Sequence, residues 1–290
     1  MKNIKIIYLL LIPVFAGFIL SGCADIKEDV TGTSPVVNVH SSGILQKGSP
    51  DFHGNLIKNK EWDMKQCQKC HASDYKGGLT GASCLKCHTG TKGPESCNTC
   101  HGDFRNASKI APPQDTEGNT SNTARGVGAH ANHLYDNLSG NAVACNECHT
   151  VPTAVSDPGH IDKNVHLVFG DLAMKTSNNG AIVPNPTYDK TTLECSNVYC
   201  HGTFKNGNQS NKVKWTAGTD GAKCGTCHGD ATSGNPLPPS PHPQVANCST
   251  CHWMTTPGDL VTGSGAAAII VNKTKHVNGK LNLFGQENDY

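Results

Sequence analysis

Cys67-Gln68-Lys69-Cys70-His71, Cys84-Leu85-Lys86-Cys87-His88 and Cys97-Asn98-Thr99-Cys100-His101 repeat one five-residue figure three times in quick succession. Two thiols three positions apart project from the same side of one helical turn. Both can then form thioethers to the two vinyl groups of one porphyrin, and the histidine that follows reaches the iron as proximal ligand. The figure returns at Cys145, Cys148 and His149, at Cys224, Cys227 and His228, and at Cys248, Cys251 and His252. A stretched version, Cys195-Ser-Asn-Val-Tyr-Cys200-His201, makes seven.

A shuffled chain of this composition would hold only about 0.04 CxxCH figures, so six are not accidental. Three other chemistries use paired cysteines: a zinc knuckle, a thioredoxin-type redox pair and a disulfide. Zinc sites do not need a histidine directly after the second cysteine in every copy. For Cys195 and Cys200 the disulfide is the strongest competitor, because two extra residues must bulge between the thioethers. The sequence therefore predicts seven covalently bound haems c, with His71, His88, His101, His149, His201, His228 and His252 as proximal ligands.

The start of the chain is an address. Lys2 and Lys5 precede an apolar run, Ile6 to Leu20, and Leu20-Ser21-Gly22-Cys23 resembles the lipobox of bacterial lipoproteins. The run is shorter than the roughly 20 residues a membrane span needs, which disfavours a plain transmembrane anchor. The mature chain is expected to begin at a lipid-carrying Cys23, held at the membrane by several acyl chains. The cysteines then balance: of fifteen, one carries lipid and fourteen serve seven haems.

Only 16% of residues are charged and 6% aromatic, and apolar side chains are too sparse for a conventional core of this size. Porphyrins are expected to supply much of the buried apolar surface, so the haem-free chain should be unfolded. With Lys2 and Lys5 removed, 22 basic residues stand against 23 acidic ones. Two propionates and one ferric core charge per haem bring the total to about −8, which argues against nucleic acid as a partner. Such a charge suits weak docking to basic patches on other redox proteins.

Five segments are expected: a signal peptide at 1–22, a lipidated flexible tether at 23–39, a trihaem segment at 40–102, a linker plus fourth-haem segment at 103–185, and a second trihaem segment at 186–290. Two later stretches, which do not follow these bounds, resemble one another. Cys97-Asn-Thr-Cys-His-Gly-Asp, Pro112-Pro113, His130, His133 and Cys145 to His149 parallel Cys224-Gly-Thr-Cys-His-Gly-Asp, Pro238-Pro239, His242 and Cys248 to His252. His160 to Gly170 likewise resembles His276 to Gly285. Asn278-Gly279, between Ala266 to Val271 and Leu281 to Phe284, is a hairpin signal, so each copy should end in a small β-ribbon with a histidine just before its turn. Elsewhere the expected fold class is irregular and loop-rich, a multihaem cytochrome c with single helical turns at the CxxCH figures and little regular secondary structure.

Seven low-spin irons need seven sixth ligands. Outside the motifs stand His40, His53, His130, His133, His160, His166, His242 and His276. His160 aligns with His276, whereas His166 aligns with Asn282, so His166 reads as the spare and His40, nearest the tether, is the next candidate. After removal of Met1 only Met64, Met174 and Met254 could compete. A mostly bis-histidine set implies low reduction potentials.

Cys195-Ser-Asn-Val-Tyr-Cys200-His201-Gly202, Trp215, Cys224 to Gly229, Pro238-Pro239-Ser-Pro-His242 and Cys248 to His252 resemble the CxxxxCH/CxxCH domain of multihaem cytochromes c from metal-reducing bacteria, over about 190–285. Asp51-Phe-His53-Gly to His101 is similar to the trihaem start of such proteins. The resemblance implies an exported outer-membrane lipoprotein, on the periplasmic face or at the cell surface. It implies no catalytic residue and electron transfer toward extracellular acceptors such as metal oxides. The implied partners are periplasmic or surface cytochromes, a porin or a mineral. The competing class is a multihaem reductase of nitrite, sulfite or hydroxylamine type, which needs one iron with an open position. A mature globule of this length has a radius of gyration of roughly 18 Å, which leaves evenly spread haems close enough for electrons to hop.

Overall fold

With 31 glycines and 16 prolines in 290 residues, long regular elements have few places to form. The computed structural model describes residues 39–103, 115, 118–135 and 139–289. The signal peptide, Cys23 and most of the tether lie outside the described residues, as do residues 104–114 of the linker. No described helix is long and apolar enough to cross a membrane. The chain divides into two units, 1–60 and 61–290.

In the first unit, turns over 41–52 lead into helix α1 (His53–Asn59). The Ile44 carbonyl accepts from both the backbone N–H and the ring Nδ1 of His53, each at 2.9 Å. That double bond clips the helix start to the preceding turn.

The second unit holds helices α2 (Lys65–His71), α3 (Cys97–His101) and α4 (His130–Leu134). Its strands are β1 (Thr187–Asp189), β2 (Glu194–Ser196), β3 (Lys212–Lys214), β4 (Val261–Thr262), β5 (Ile269–Ile270), β6 (Lys280–Leu283) and β7 (Gln286–Asp289). They form one three-stranded sheet in the order β1-β2-β3 and two ribbons, β4-β5 and β6-β7, all antiparallel. The rest is loop, turn and short 3₁₀ helix, as the composition implied.

Buried aliphatic and aromatic side chains other than proline are few among the described residues: Tyr75, Ala173, Val198, Tyr199, Leu260 and Val261. Tyr75 is the hub of the first three motifs. Its hydroxyl donates to Glu95 at 2.6 Å and accepts from the Gln68 amide at 2.9 Å, and its carbonyl accepts from Cys84 N–H at 3.0 Å. Burial, reinforced by the Glu95 hydrogen bond, pushes the phenol well above its ordinary pKa.

Val198 and Tyr199 explain the stretched motif. Cys195 sits on central strand β2, opposite Tyr188 and Val213, and Cys200 in the 3₁₀ turn Tyr199–His201. The two additional residues between the sulfurs let Val198 and Tyr199 turn inward, with Tyr199 N–H bonded to the Ala173 carbonyl at 2.9 Å.

Two local expectations are corrected. The last ribbon turns at Phe284-Gly285, both in the left-handed region (φ 48° and 78°), not at Asn278-Gly279. There the Asn278 side chain accepts from Lys280 N–H at 3.0 Å and closes a tight local turn. Residues Ile269–Ile270 instead pair with the nearby Val261–Thr262, a shorter loop to close. In the first copy, 160–170 forms a single bridge, His149 to Leu167, in place of a ribbon. The Asp162 side chain bonds Asn164 N–H at 2.9 Å and the His166 ring, which holds that stretch as a loop.

Candidate functional site

Six of the seven motifs adopt a helical turn. Cys67 to His71 lie in α2 and Cys97 to His101 form α3, while 3₁₀ turns begin at Cys84, Cys145, Tyr199 and Cys248. In three of them the histidine N–H donates to the first cysteine's carbonyl, at 3.0 Å for His88 and 2.9 Å for His149 and His252. Cys224 to His228 departs from the expected helical turn. Gly225 there has φ +94°, and a side chain at that position would meet the Asp230 and Asn235 carbonyls. None of the fourteen motif cysteines is joined in a disulfide, Cys195 and Cys200 included. Burial pushes Cys148 and Cys195 up to about 11 and Cys200 to about 12.

The histidine rings form five facing pairs. His101 and His160 stand 6.0 Å apart centre to centre, His130 and His149 6.1 Å, and His133 and His201 6.0 Å. His228 and His276 stand at 6.3 Å, and His242 and His252 at 6.2 Å. Every pair joins one motif histidine to one from outside the motifs. An iron about 2 Å from the Nε2 of each of two imidazoles puts their ring centres roughly 6 Å apart.

The second ring nitrogen fixes the tautomer. Nδ1 donates to a backbone carbonyl at His130 (Val127, 2.7 Å), His133 (Ala129, 2.9 Å), His160 (Val155, 3.1 Å), His228 (Pro236, 2.6 Å) and His252 (Asn282, 3.1 Å). His276 donates likewise to Ser139. With the proton on Nδ1, the Nε2 lone pair is presented for a metal. Burial keeps three of the rings neutral, pushing His130, His201 and His276 down to about 4. The buried Nδ1 atoms of His201 and His242 have no hydrogen-bond partner.

These sites fit a haem. Each pair offers two imidazoles at that spacing and the motif's pair of thiols, and the four remaining iron positions would be filled by the porphyrin itself. A zinc knuckle needs four protein ligands at one point. Among the described residues no three His, Cys, Asp or Glu side chains converge on one. His88 lines a cavity of about 620 Å³ with Tyr75, Leu85, Lys92 and Glu95.

The pairing reveals how the repeat is built. In the first copy the earlier motif histidine, His101, faces His160, the counterpart of His276, and His149 faces His130. In the second copy His228 faces His276, and His252 faces His242. Each copy thus nests one pair inside the other. His133, which has no counterpart in the second copy, faces the stretched motif at His201.

His166 is placed differently. Its Nε2 bonds Asp162 at 2.6 Å, while its backbone hydrogen-bonds the His149 ring. Asn282, its counterpart in the repeat, uses its carbonyl on His252 in the same way. Two residues on, Val168 N–H donates to Cys148 and Phe284 N–H to Cys251, at 3.1 and 3.0 Å. The position works through its main chain, so its side chain can be either residue. His40 and His53 lie in the first unit. The carbonyl holders Val127, Ala129, Val155, Pro236 and Ser139 were invisible to sequence reasoning, because the role is independent of their side chains.

Residues 194–228 match the family model described as the Geobacter CxxxxCH...CXXCH motif, which spans the stretched motif and the one after it. No curated protein matches the chain. No solved structure does either.

Proposed function

We propose that this multihaem c-type cytochrome carries seven covalently bound haems, six of CxxCH type and one at Cys195 and Cys200, and passes electrons along them as a carrier. The five facing histidine pairs carry the reading: each brings a motif histidine to a second nitrogen at the spacing of a six-coordinate iron. A haem closed on both faces exchanges electrons through its edge and leaves no position for substrate, so the protein groups orient and tune while the cofactor supplies the redox chemistry. By count, His40 and His53 complete the set of sixth ligands.

Adjacency in the chain supports a relay. Helix α4 carries both His130 and His133, one turn apart, although they face motif histidines of two different sites. Asn211 donates to the His201 carbonyl at 2.8 Å and Asn208 N–H to Cys227 at 2.7 Å, tying the fifth motif to the sixth. The segment that brings His276 to His228 runs on into β6, whose Asn282 carbonyl holds His252. Motifs four to seven are therefore linked in chain order.

In this reading Cys23 carries the lipid, the protein works at the outer membrane, and electrons leave toward extracellular acceptors such as metal oxides. Other redox proteins, a porin or a mineral receive them. The test is intact mass with haem-stained electrophoresis and carbon monoxide titration of the reduced, exported protein. Seven haems, an acylated Cys23 and negligible carbon monoxide uptake are expected. Uptake of one equivalent at native pH would favour a reductase, and six haems would remove the Cys195 and Cys200 site.

A further inference from the structure

Trp215 touches two of the ring pairs at once. It follows β3, with its N–H bonded to the Leu193 carbonyl at 2.7 Å, and its indole reaches across to α4. The indole meets the His130 ring edge-on, with centres 4.8 Å apart and planes at 89°. It stacks on the His133 ring at 5.7 Å and 28°. Its Nε1–H donates to the Arg125 carbonyl at 2.9 Å. Gly128, at φ +47°, forms the seat: a Cβ there would overlap the indole.

We propose that Trp215 is a positioning residue that sets the ring planes of His130 and His133 and so tunes the two haems closed by His149 and His201 together. This rests on the bis-histidine reading above. Each of the two rings is already tied at Nδ1 to a carbonyl one turn back, Val127 or Ala129. One hydrogen bond still allows rocking about the side-chain bond to the ring, a broad and soft torsion. The indole blocks it for both rings, because each would have to turn into the aromatic surface. The plane of an axial imidazole decides which iron d orbital its π electrons raise, so a turned ring alters the ferric signal and potential of its haem. Trp215 comes from the sheet that carries Cys195, and α4 from the preceding copy. One side chain therefore holds the junction between the stretched motif and the first repeat.

The test is electron paramagnetic resonance of the oxidised, fully haem-loaded chain. Wild-type protein that lacks the haem at Cys195 and Cys200, or that shows high-spin iron, would undo the reading this proposal rests on. With that control satisfied, Trp215→Phe, which keeps an aromatic face, should retain the wild-type spectrum. Trp215→Leu, which keeps bulk alone, should shift two of the low-spin signals and leave five in place. Identical spectra for Trp215→Leu and wild type would overturn the proposal. Gly128→Ala is the second variant: it keeps the indole in the chain but pushes it off α4, and should shift the same two signals. A wild-type spectrum from Gly128→Ala overturns the proposal even if Trp215→Leu fails to assemble.

Discussion

His133 and His201 face each other at 6.0 Å with their ring planes crossed at 56°. His228 and His276 are crossed further, at 69°. The other three pairs are nearly parallel: 8° for His242 and His252, 17° for His101 and His160, 24° for His130 and His149. Parallel imidazoles raise the same iron d orbital and split it from its partner, whereas crossed ones raise both and leave them close in energy. The oxidised protein should show two families of low-spin signal, rhombic from the parallel sites and large-g from the crossed ones. Replacing His276 with alanine should remove intensity from the large-g family alone; loss from the rhombic family would show that the ring angles do not govern the spectrum.

His133 and His166 make a matched pair of substitutions. His133→Ala takes the nitrogen opposite His201 away and should let the reduced protein bind one carbon monoxide where wild type binds none. His133→Met should keep the iron closed and raise that haem's potential, since a thioether favours the ferrous state. His166 meets Asp162 at the surface instead, so His166→Ala should leave spectrum and gas binding unchanged and stability within about 0.5 kcal/mol. Carbon monoxide uptake by His166→Ala would mean that it, too, closes an iron.

The seven motifs were legible because two sulfurs and a nitrogen that are to serve one group in one turn must lie together in sequence. The opposing histidines were legible only as a set. What pairs His276 with His228 is a hydrogen bond from its ring to the Ser139 carbonyl, 137 residues away, and no side chain records it. The repeat did carry positional information: it aligned His166 with Asn282, and both use their main chain on a motif histidine. Asn278-Gly279 misled because its turn chemistry is real but serves a local Asx turn, while the ribbon closes six residues later at Phe284-Gly285. Gly225 could have been read in advance, since glycine inside a helical turn is a standing warning.

Tyr75 offers a test of how the first three motifs hold together. Its hydroxyl is shared by the Gln68 amide and the Glu95 carboxylate, and only 6% of the residue is exposed. Tyr75→Phe keeps the ring and leaves both polar partners without the bond they share, at a cost of roughly 1–3 kcal/mol. Urea unfolding followed in the haem absorption band should show a lower midpoint with the slope unchanged. Gln68→Ala should cost less, because water can replace the amide at the hydroxyl while Glu95 keeps its bond. Equal midpoints for Tyr75→Phe and wild type would mean that haem attachment, not this polar cluster, sets the order of the segment.

The haem-free chain should not fold. Among the described residues only six aliphatic and aromatic side chains other than proline are buried, and Leu79, Val183 and Ile269 are each more than 60% exposed. Such surface does not offset the entropy of ordering a chain in which most bonds are local turns. The imidazole pairs deepen the problem, since each sets two rings about 6 Å apart with no direct bond between them. Porphyrins would fill those gaps and cover the exposed apolar side chains, so binding and folding should be one event. Hydrogen exchange can decide the matter at two amides, Tyr199 N–H bonded to Ala173 and Phe284 N–H bonded to Cys251. In the haem-loaded protein both should be protected, and in chain produced without haem attachment both should exchange at the rate of an unfolded peptide. Protection of either amide without haem would mean that the polypeptide supplies its own core and that the cofactor is not what folds it.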